Sequence, residues 1–378
     1  MNKSPLAIYI HWPYCARICP YCDFNVYKDR QDDHLVQAIC DDLAAWYNWS
    51  GPRTVSSVHF GGGTPSLMAG SDVSQILKII DQLWGLDDAV EIGLELNPNN
   101  AALSKLNDFK AAGVTRVSFG VQSFHGAALK QLGRDHDGQT AVAALTQAVD
   151  IFRSVSADLI FGWQGQTETL LSRDLEQCLA LGVTHMSTYQ LTIEPGTAFA
   201  KAEARGEAQS VDGDRSADFF DLIRERLKAE AFEHYEISNF AKPDHRSQHN
   251  LAYWRGYDYV GVGPGAHGRL TTQGARFATI CAARPSDYQA CVGRGTGIET
   301  KERLSPEAHR DEYVLMGLRI SEGISYGRVR DIYDDPAFHD RVQALREEGY
   351  LTVEHDRITI PATYRPLLNQ ITEKLLIG

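Results

Sequence analysis

The chain has 378 residues, 43% of them hydrophobic and 23% charged, a size and composition that fit two or three packed domains and exclude a disulfide-stapled miniprotein or a disordered chain. Acidic residues number 49 against 37 basic, a formal charge of −12 with no block of Lys and Arg to offset it, so nucleic acid and anionic membranes are poor partners. No apolar run approaches the roughly 18 residues of a membrane span, and Met1 to Ile10 is too short and polar for a secretory leader, so a cytoplasmic location is expected.

Taken in chain order, apolar or β-branched runs at Ala7 to His11, Val55 to Phe60, Val90 to Leu96, Arg116 to Gly120, Asp158 to Phe161 and His185 to Leu191 read as six strands. Between them, helical periodicity covers Asp33 to Trp46, Val73 to Leu83, Leu103 to Ala111, Thr140 to Phe152 and Thr169 to Leu181. Ser71 or Asp72 offers a start signal for the second, and Gly113 and Gly182 stop the third and fifth. Strict alternation predicts an α/β fold with a parallel sheet, and six units in about 190 residues fit a partial (βα)6 barrel, with a doubly wound open sheet as the alternative. Either winding puts the loops after the strands on one rim, bringing together Cys15 to Cys22, Gly61 to Gly63, Asn97 with Pro98, and Gln122.

Beyond Gly213 come a helix at Ala217 to Ala229 and an aromatic- and Gly-rich stretch at Tyr235 to Gly274. From Ser305 to Gly378 three helices precede a hairpin around Tyr350 to Ile360, the order of a winged-helix-like module, with too little basic charge for DNA. The expected division is 1–212 for the barrel, 213–304 for a connecting region and 305–378 for the C-terminal module.

Seven cysteines are an odd number for a disulfide framework. Cys40, Cys178, Cys281 and Cys291 are scattered, as small buried hydrophobes are, whereas Cys15-x3-Cys19-x2-Cys22 offers three thiolates from one loop. Three thiolates on an iron–sulfur cubane would leave one iron open to a small molecule. Two other readings stand beside this one: Cys19-Pro20-Tyr21-Cys22 as a glutaredoxin-type redox pair, which ignores Cys15, and a zinc site completed by His11 or Asp23. Gly61-Gly62-Gly63-Thr64-Pro65 follows a strand and lets a ligand approach the backbone, beyond what a flexible turn needs. Gly263-Pro264-Gly265-Ala266-His267-Gly268 fits G-x-G-x-x-G, but Arg269 to Gly274 reads as loop or strand where a nicotinamide site needs a helix.

The CxxxCxxC after the first strand resembles the radical S-adenosylmethionine superfamily, whose fold is a partial (βα)6 barrel. Tyr9-Ile10-His11-Trp12-Pro13-Tyr14-Cys15 and His59-Phe60-Gly61-Gly62-Gly63-Thr64-Pro65-Ser66 are similar to its oxygen-independent coproporphyrinogen III oxidase subfamily. The resemblance implies a [4Fe–4S] cluster on Cys15, Cys19 and Cys22, and S-adenosyl-L-methionine chelated at the open iron, where reduction releases a deoxyadenosyl radical. It also implies S-adenosylmethionine-binding positions at Tyr9, Tyr21, Gly62, Gly63, Thr64, Glu95, Gln122, Arg134 and Asp158. Of these the glycine loop would take the amino group, Arg134 suits a carboxylate, and Glu95 or Asp158 suits ribose hydroxyls or an ammonium.

The oxidases carry CxxxCxxCxC and a longer segment before the cluster loop; here the fourth cysteine position is Phe24 and only fourteen residues precede Cys15. Both departures, together with His249-Asn250-Leu251-Ala252-Tyr253-Trp254 and Tyr189 to Thr197, resemble the HemW-type haem chaperones, in which HNxxYW is a hallmark. At Gly162-Trp163-Gln164-Gly165-Gln166-Thr167 the chain departs from that family's usual Leu-Pro after the first glycine, leaving the shape of this rim loop open. The resemblance implies a protein that binds haem and transfers it to an acceptor, with a respiratory, membrane-associated protein as the candidate; coproporphyrinogen oxidation is the alternative. His249 would then offer an imidazole to haem iron while Tyr253 and Trp254 line an apolar slot, with Asn250 as a further haem-site position. The bland alternative is an aromatic cluster with His249 merely hydrogen-bonded.

Overall fold

A computed structural model describes residues 5–28 and 34–377. The leader expectation at Met1 to Ser4, the helix start at Asp33 and the terminal Gly378 lie outside the described residues. Six parallel strands, β1 (Leu6–Trp12), β2 (Val55–Gly62), β3 (Glu91–Leu96), β4 (Arg116–Gln122), β5 (Ser154–Phe161) and β6 (His185–Gln190), pair in sequential order. A doubly wound sheet reverses its order at a switch point, so this unreversed order selects the barrel-type winding. The sheet continues at both edges. Antiparallel β7 (Glu233–Glu236) and β8 (Asn239–Ala241) extend it beyond β6. On the other edge β9 (Asp258–Val262) pairs parallel with β1 and leads into antiparallel β10 (His267–Thr272), β11 (Ala275–Cys281) and β12 (Ile298–Arg303). Residues 213–304 therefore enclose the barrel strands from both sides.

Helices α1 (Leu35–Ser50), α2 (Gly70–Trp84), α3 (Leu103–Ala112), α4 (Gly126–Gln131), α5 (Gly138–Ile151) and α6 (Glu168–Ala180) occupy the crossovers. Asp72 is not the start residue of α2 but lies in its first turn, where its carboxylate accepts from the Ala69 N–H. Asp137 and Thr167 cap α5 and α6, each accepting from a backbone N–H three residues on. Gly113, at φ 108°, closes α3. Short α7 (Ala198–Glu203) and long α8 (Gly213–Ala229) follow, the latter capped by Asp212, four residues earlier than periodicity places it. α9 (Gln248–Trp254) and α10 (Pro285–Val292) flank β9 to β11.

Each barrel strand alternates. Ile8 and Ile10 of β1, Val58 and Phe60 of β2, Leu94 of β3, and Val117 and Phe119 of β4 enter one core with the helices and are almost fully buried, each worth about 2 kcal/mol. The intervening positions are polar: Tyr9 and His11, Ser57 and His59, Glu91 and Glu95, Arg116 and Ser118, Ser156 and Asp158, His185 and Ser187. These side chains form a hydrogen-bonded interior.

The C-terminal residues build a second core. α11 (Pro306–Gly317), α12 (Tyr326–Ile332) and α13 (Pro336–Glu347) pack Val314, Val329, Phe338 and Val342 against Ile324 and Ile358. The latter two come from β13 (Ile324–Ser325) and β15 (Arg357–Thr359), which pairs with β14 (Thr352–Glu354). The hairpin turn uses His355 and Asp356, both at positive φ. A terminal helix, α14 (Leu368–Leu376), was not visible in the sequence pattern and covers this core with Ile371 and Leu375.

Candidate functional site

The cysteine loop leaves β1 and is seated on the glycine loop that leaves β2. The Gly63 N–H donates to Trp12 O and the Thr64 N–H to Tyr14 O, both at 2.8 Å, and Thr64 Oγ1 reaches Cys15 Sγ at 3.4 Å. A Cβ on Gly63 would stand 2.7 Å from Tyr14 O, one on Gly62 2.6 Å from the His11 ring, and one on Gly61 2.9 Å from both Glu95 Oε1 and the Tyr9 ring. The expectation that these glycines leave the backbone open to a ligand is thus corrected in part. Their first consequence is intramolecular, because two N–H groups of the loop hold the cysteine segment.

Around Cys19 and Cys22 the loop is clasped from three sides. Arg134, in the turn between α4 and α5, directs Nη1 to Cys19 Sγ at 3.4 Å and Nη2 to Gly120 O at 2.8 Å. Pro20 lies against Gly133, and Tyr21 packs beside Phe199 of α7, whose N–H donates to Pro20 O. Asn25 donates to Pro264 O and Ala283 O, both at 2.9 Å, and accounts for Gly265: a side chain there would collide with Asn25. The G-x-G-x-x-G match is therefore a packing motif, followed by strand β10 and not by a helix. Burial pushes the Cys15 thiol up against the opposing Thr64 hydrogen bond, and pushes Cys22 up to about 11.

Inside the barrel below this loop lie the other expected positions. Glu95 Oε1 pairs with His59 Nε2 at 3.1 Å. Asp158 accepts from Ser118 at 2.8 Å and from Ser156 at 3.1 Å, while burial, the dominant effect, pushes its carboxyl up. Tyr9 bonds its hydroxyl to His11 Nδ1 at 3.1 Å, and His11 Nε2 is engaged by Asn25 O at 2.9 Å. His11 thus has no nitrogen left for zinc. Among the described residues no three His, Cys, Asp or Glu side chains converge as a single metal ion requires. A cubane asks for something else, since each of its three thiolates binds a different iron.

Gln122 ends β4 at φ 65°, past a bulge that swings its amide over Gly120 beside Arg134. Its Oε1, Arg134 Nε and His59 Nδ1 are buried without hydrogen-bond partners. Orphaned polar atoms at such a site fit a polar ligand reaching the rim. Three free thiols on one loop above them fit a thiolate-held cluster. His59 and the serines at 118 and 156 were missed from sequence; the alternation of polar residues in every strand was the signal that could have found them.

The HNxxYW residues lie elsewhere. α9 closes the opposite end of the barrel, where the strands begin. The His249 N–H donates to Glu91 Oε1, and its ring bonds to Ser57 Oγ at 3.1 Å through Nδ1 and to the Tyr253 hydroxyl at 3.0 Å through Nε2. Both ring nitrogens of His249 are therefore engaged within the chain in this conformation. Asn250 donates its backbone N–H to the Ser247 cap, and Trp254 packs under the Arg319 guanidinium, 4.8 Å from its ring centroid. Of the four, Tyr253 lines a cleft beside α11.

A family model described as the radical SAM superfamily matches residues 9–177. The chain is 34% identical to a protein of Escherichia coli named heme chaperone HemW, covering 100% of this chain and 99% of that one. It is 37% identical to the mitochondrial radical S-adenosyl methionine domain-containing protein 1 of Danio rerio, over 85% of this chain and 74% of the relative. Among solved structures it resembles the E. coli coproporphyrinogen III oxidase, a radical SAM enzyme, with a TM-score of 0.82 and 22% identity over 99% of this chain and 90% of that chain. That likeness establishes a shared fold. No described helix is long and apolar enough to cross a membrane.

Proposed function

The chain belongs to the HemW family within the radical SAM superfamily, and on that footing we propose that it is a haem chaperone, binding haem and passing it to an acceptor protein. The observation that carries this reading is end-to-end correspondence with proteins named heme chaperone. Phe24 at the oxidases' fourth cysteine position supports it further: the side chain is 62% exposed and has no sulfur to offer.

In this proposal Cys15, Cys19 and Cys22 hold a [4Fe–4S] cluster, and Tyr9, Tyr21, Gly62, Gly63, Thr64, Glu95, Gln122, Arg134 and Asp158 surround S-adenosylmethionine. The pair, when bound, supplies one-electron cleavage of a sulfonium. The chain's own part is to seat the loop through Thr64 and Gly63 and to set the Arg134 cation beside Cys19. It also keeps the Glu95 carboxylate oriented through His59. A cytoplasmic location, a respiratory membrane-associated acceptor, and division into 1–212, 213–304 and 305–378 belong to the same proposal. The separate core of the last segment supports the boundary at 305, whereas residues 213–304 share the sheet and core of the barrel.

The test is the spectrum of protein reconstituted anaerobically with iron and sulfide, then given haem. Visible cluster absorption and a Soret band retained through gel filtration are expected. A colourless, metal-free protein would overturn the cluster assignment. Sustained formation of protoporphyrinogen from coproporphyrinogen, with reductant and S-adenosylmethionine, would replace the chaperone reading by the oxidase.

A further inference from the structure

Each sulfur of the cysteine loop meets a donor from a different part of the chain. Thr64, buried in the glycine loop, donates its hydroxyl to Cys15 Sγ at 3.4 Å, and Arg134 donates Nη1 to Cys19 Sγ, also at 3.4 Å. At Cys22 a backbone hydrogen bond from Phe24 opposes the upward push of burial on the thiol. The three donors differ in kind: a hydroxyl, a guanidinium and an amide. Only the guanidinium carries a full charge, and a charge-assisted bond is roughly twice as strong as a neutral one.

The fold fixes that guanidinium from several directions. Its Nη2 donates to Gly120 O at 2.8 Å, at the end of β4. The turn that carries Arg134 is pinned at two further points: His136 donates Nε2 to Val121 O at 3.1 Å, and Asn99 donates Nδ2 to Asp135 O at 2.7 Å. On the cysteine side a Cβ on Gly133 would collide with Pro20, the residue after Cys19. Burial first, and the Arg134 charge second, pull His136 down to about 4, so its ring is neutral and adds no second cation beside the sulfurs. Asp135, the neighbouring anion, is exposed and accepts from Asn97 Nδ2 at 3.1 Å, where solvent screens it. The charge delivered to Cys19 is therefore that of Arg134.

Resting on the cluster assignment made above, we propose that Arg134 and Thr64 set the reduction potential of the bound cluster by hydrogen bonding to the Cys19 and Cys15 thiolates, with Arg134 supplying the larger share. One-electron reduction adds negative charge that spreads onto the sulfur ligands, so donors at those sulfurs stabilise the reduced form and raise the potential. The electron comes from an external low-potential donor; no proton moves and no bond to the protein breaks. Because Arg134 also stands among the positions assigned to S-adenosylmethionine, its effect on the cluster is read with that molecule absent.

The experiment is a redox titration of the full-length protein, reconstituted anaerobically with iron and sulfide and kept free of S-adenosylmethionine. Dithionite is the reductant, and electron paramagnetic resonance follows the reduced cluster. Arg134→Met is expected to lower the midpoint by about 59 mV or more, a tenfold fall in the ratio of reduced to oxidised cluster at fixed potential. Thr64→Val keeps the volume and the backbone N–H that seats the loop, and should shift the midpoint the same way by less. Thr64→Ser, which keeps the hydroxyl, should retain the unmutated value. In the unmutated protein the iron–sulfur stretching bands of the resonance Raman spectrum should shift on exchange into D2O, and Thr64→Val should diminish that shift. Where Arg134→Met takes up too little iron, the Thr64→Val midpoint and isotope shift decide alone. Unmutated midpoints in these variants at full iron content would overturn the inference while leaving the cluster in place. Failure of the unmutated protein to bind iron would overturn the cluster assignment and this inference with it.

Discussion

The imidazole of His249 stacks on that of His59, ring centroids 4.7 Å apart and 16° from parallel. The contact joins the two ends of the barrel interior, because His59 pairs with Glu95 on the rim side and His249 with Tyr253 at the floor. Burial first, and the neighbouring His59 second, pull His249 well below the usual histidine range, so the stack contains an uncharged ring. Replacing His249 by Phe keeps the ring but orphans Ser57 Oγ and the Tyr253 hydroxyl. The expected loss is about 1–3 kcal/mol in chemical denaturation; an unchanged midpoint and slope would show that these bonds do not matter.

The glycine loop makes a sharper prediction. Gly62 combines φ 106° with a Cβ position 2.6 Å from a His11 ring held at both nitrogens, whereas Gly274, at φ 74°, has open space. Gly274→Ala should cost about 1 kcal/mol and Gly62→Ala clearly more, with lower iron uptake on reconstitution because the cysteine loop rests there. Equal effects of the two substitutions would contradict the seating described above.

Iron content tests the three sulfurs one by one. Cys15→Ala, Cys19→Ala and Cys22→Ala should each abolish most visible absorption and reduce iron from about four per chain. Cys40→Ala, a buried position on α1, should retain both. Retention by Cys15→Ala with loss in the other two would favour a two-cysteine site.

A buried ionic knot ties β9, β10 and β11 to the segment before β2. Asp258 pairs with Arg53 at 2.9 Å and Arg276 at 3.0 Å, and accepts from Thr271 at 2.8 Å, with every charged side chain at most 4% exposed. Asp258→Asn removes the carboxylate charge that Arg53 and Arg276 share, leaving Arg276 its weaker pairing with Glu312 at 3.3 Å, and a loss of about 3 kcal/mol is expected in urea denaturation. A cost near zero would mean that water enters and compensates.

Stability should fall on mild acidification. His234 and His309 are lowered to about 4, chiefly by burial, and His185 and His249 well below 6.5. The unfolded chain therefore binds protons that the folded chain refuses, and the stabilisation, full above about pH 6.5, is lost as pH falls toward 4. Between pH 7.5 and 5.5 each ring should cost about 1 kcal/mol. Asp42, Asp158 and Asp174, whose carboxyls burial pushes up, titrate in the opposite sense and soften the slope. Equal unfolding free energies at the two pH values would refute the assignment of these rings as buried and neutral.

The strands, their helices and the crowding of three cysteines on one rim were legible in the sequence because period-two and period-3.6 patterns and turn residues act over a few neighbours. The motif residues at the cysteine rim were legible for the same reason: Cys15 to Cys22 and Gly61 to Thr64 are each contiguous. Tertiary structure alone decided what long-range packing controls. It set the unreversed strand order, joined residues 213–304 to both sheet edges, and gave Gly62 and Gly63 a second task as a seat for the cysteine loop. It also turned His249 into a hydrogen-bonded plug at the far end of the barrel. Nothing local distinguishes an imidazole with a free lone pair from one with both nitrogens engaged, because the partners Ser57 and His249 are 192 residues apart and meet only when the barrel closes around α9.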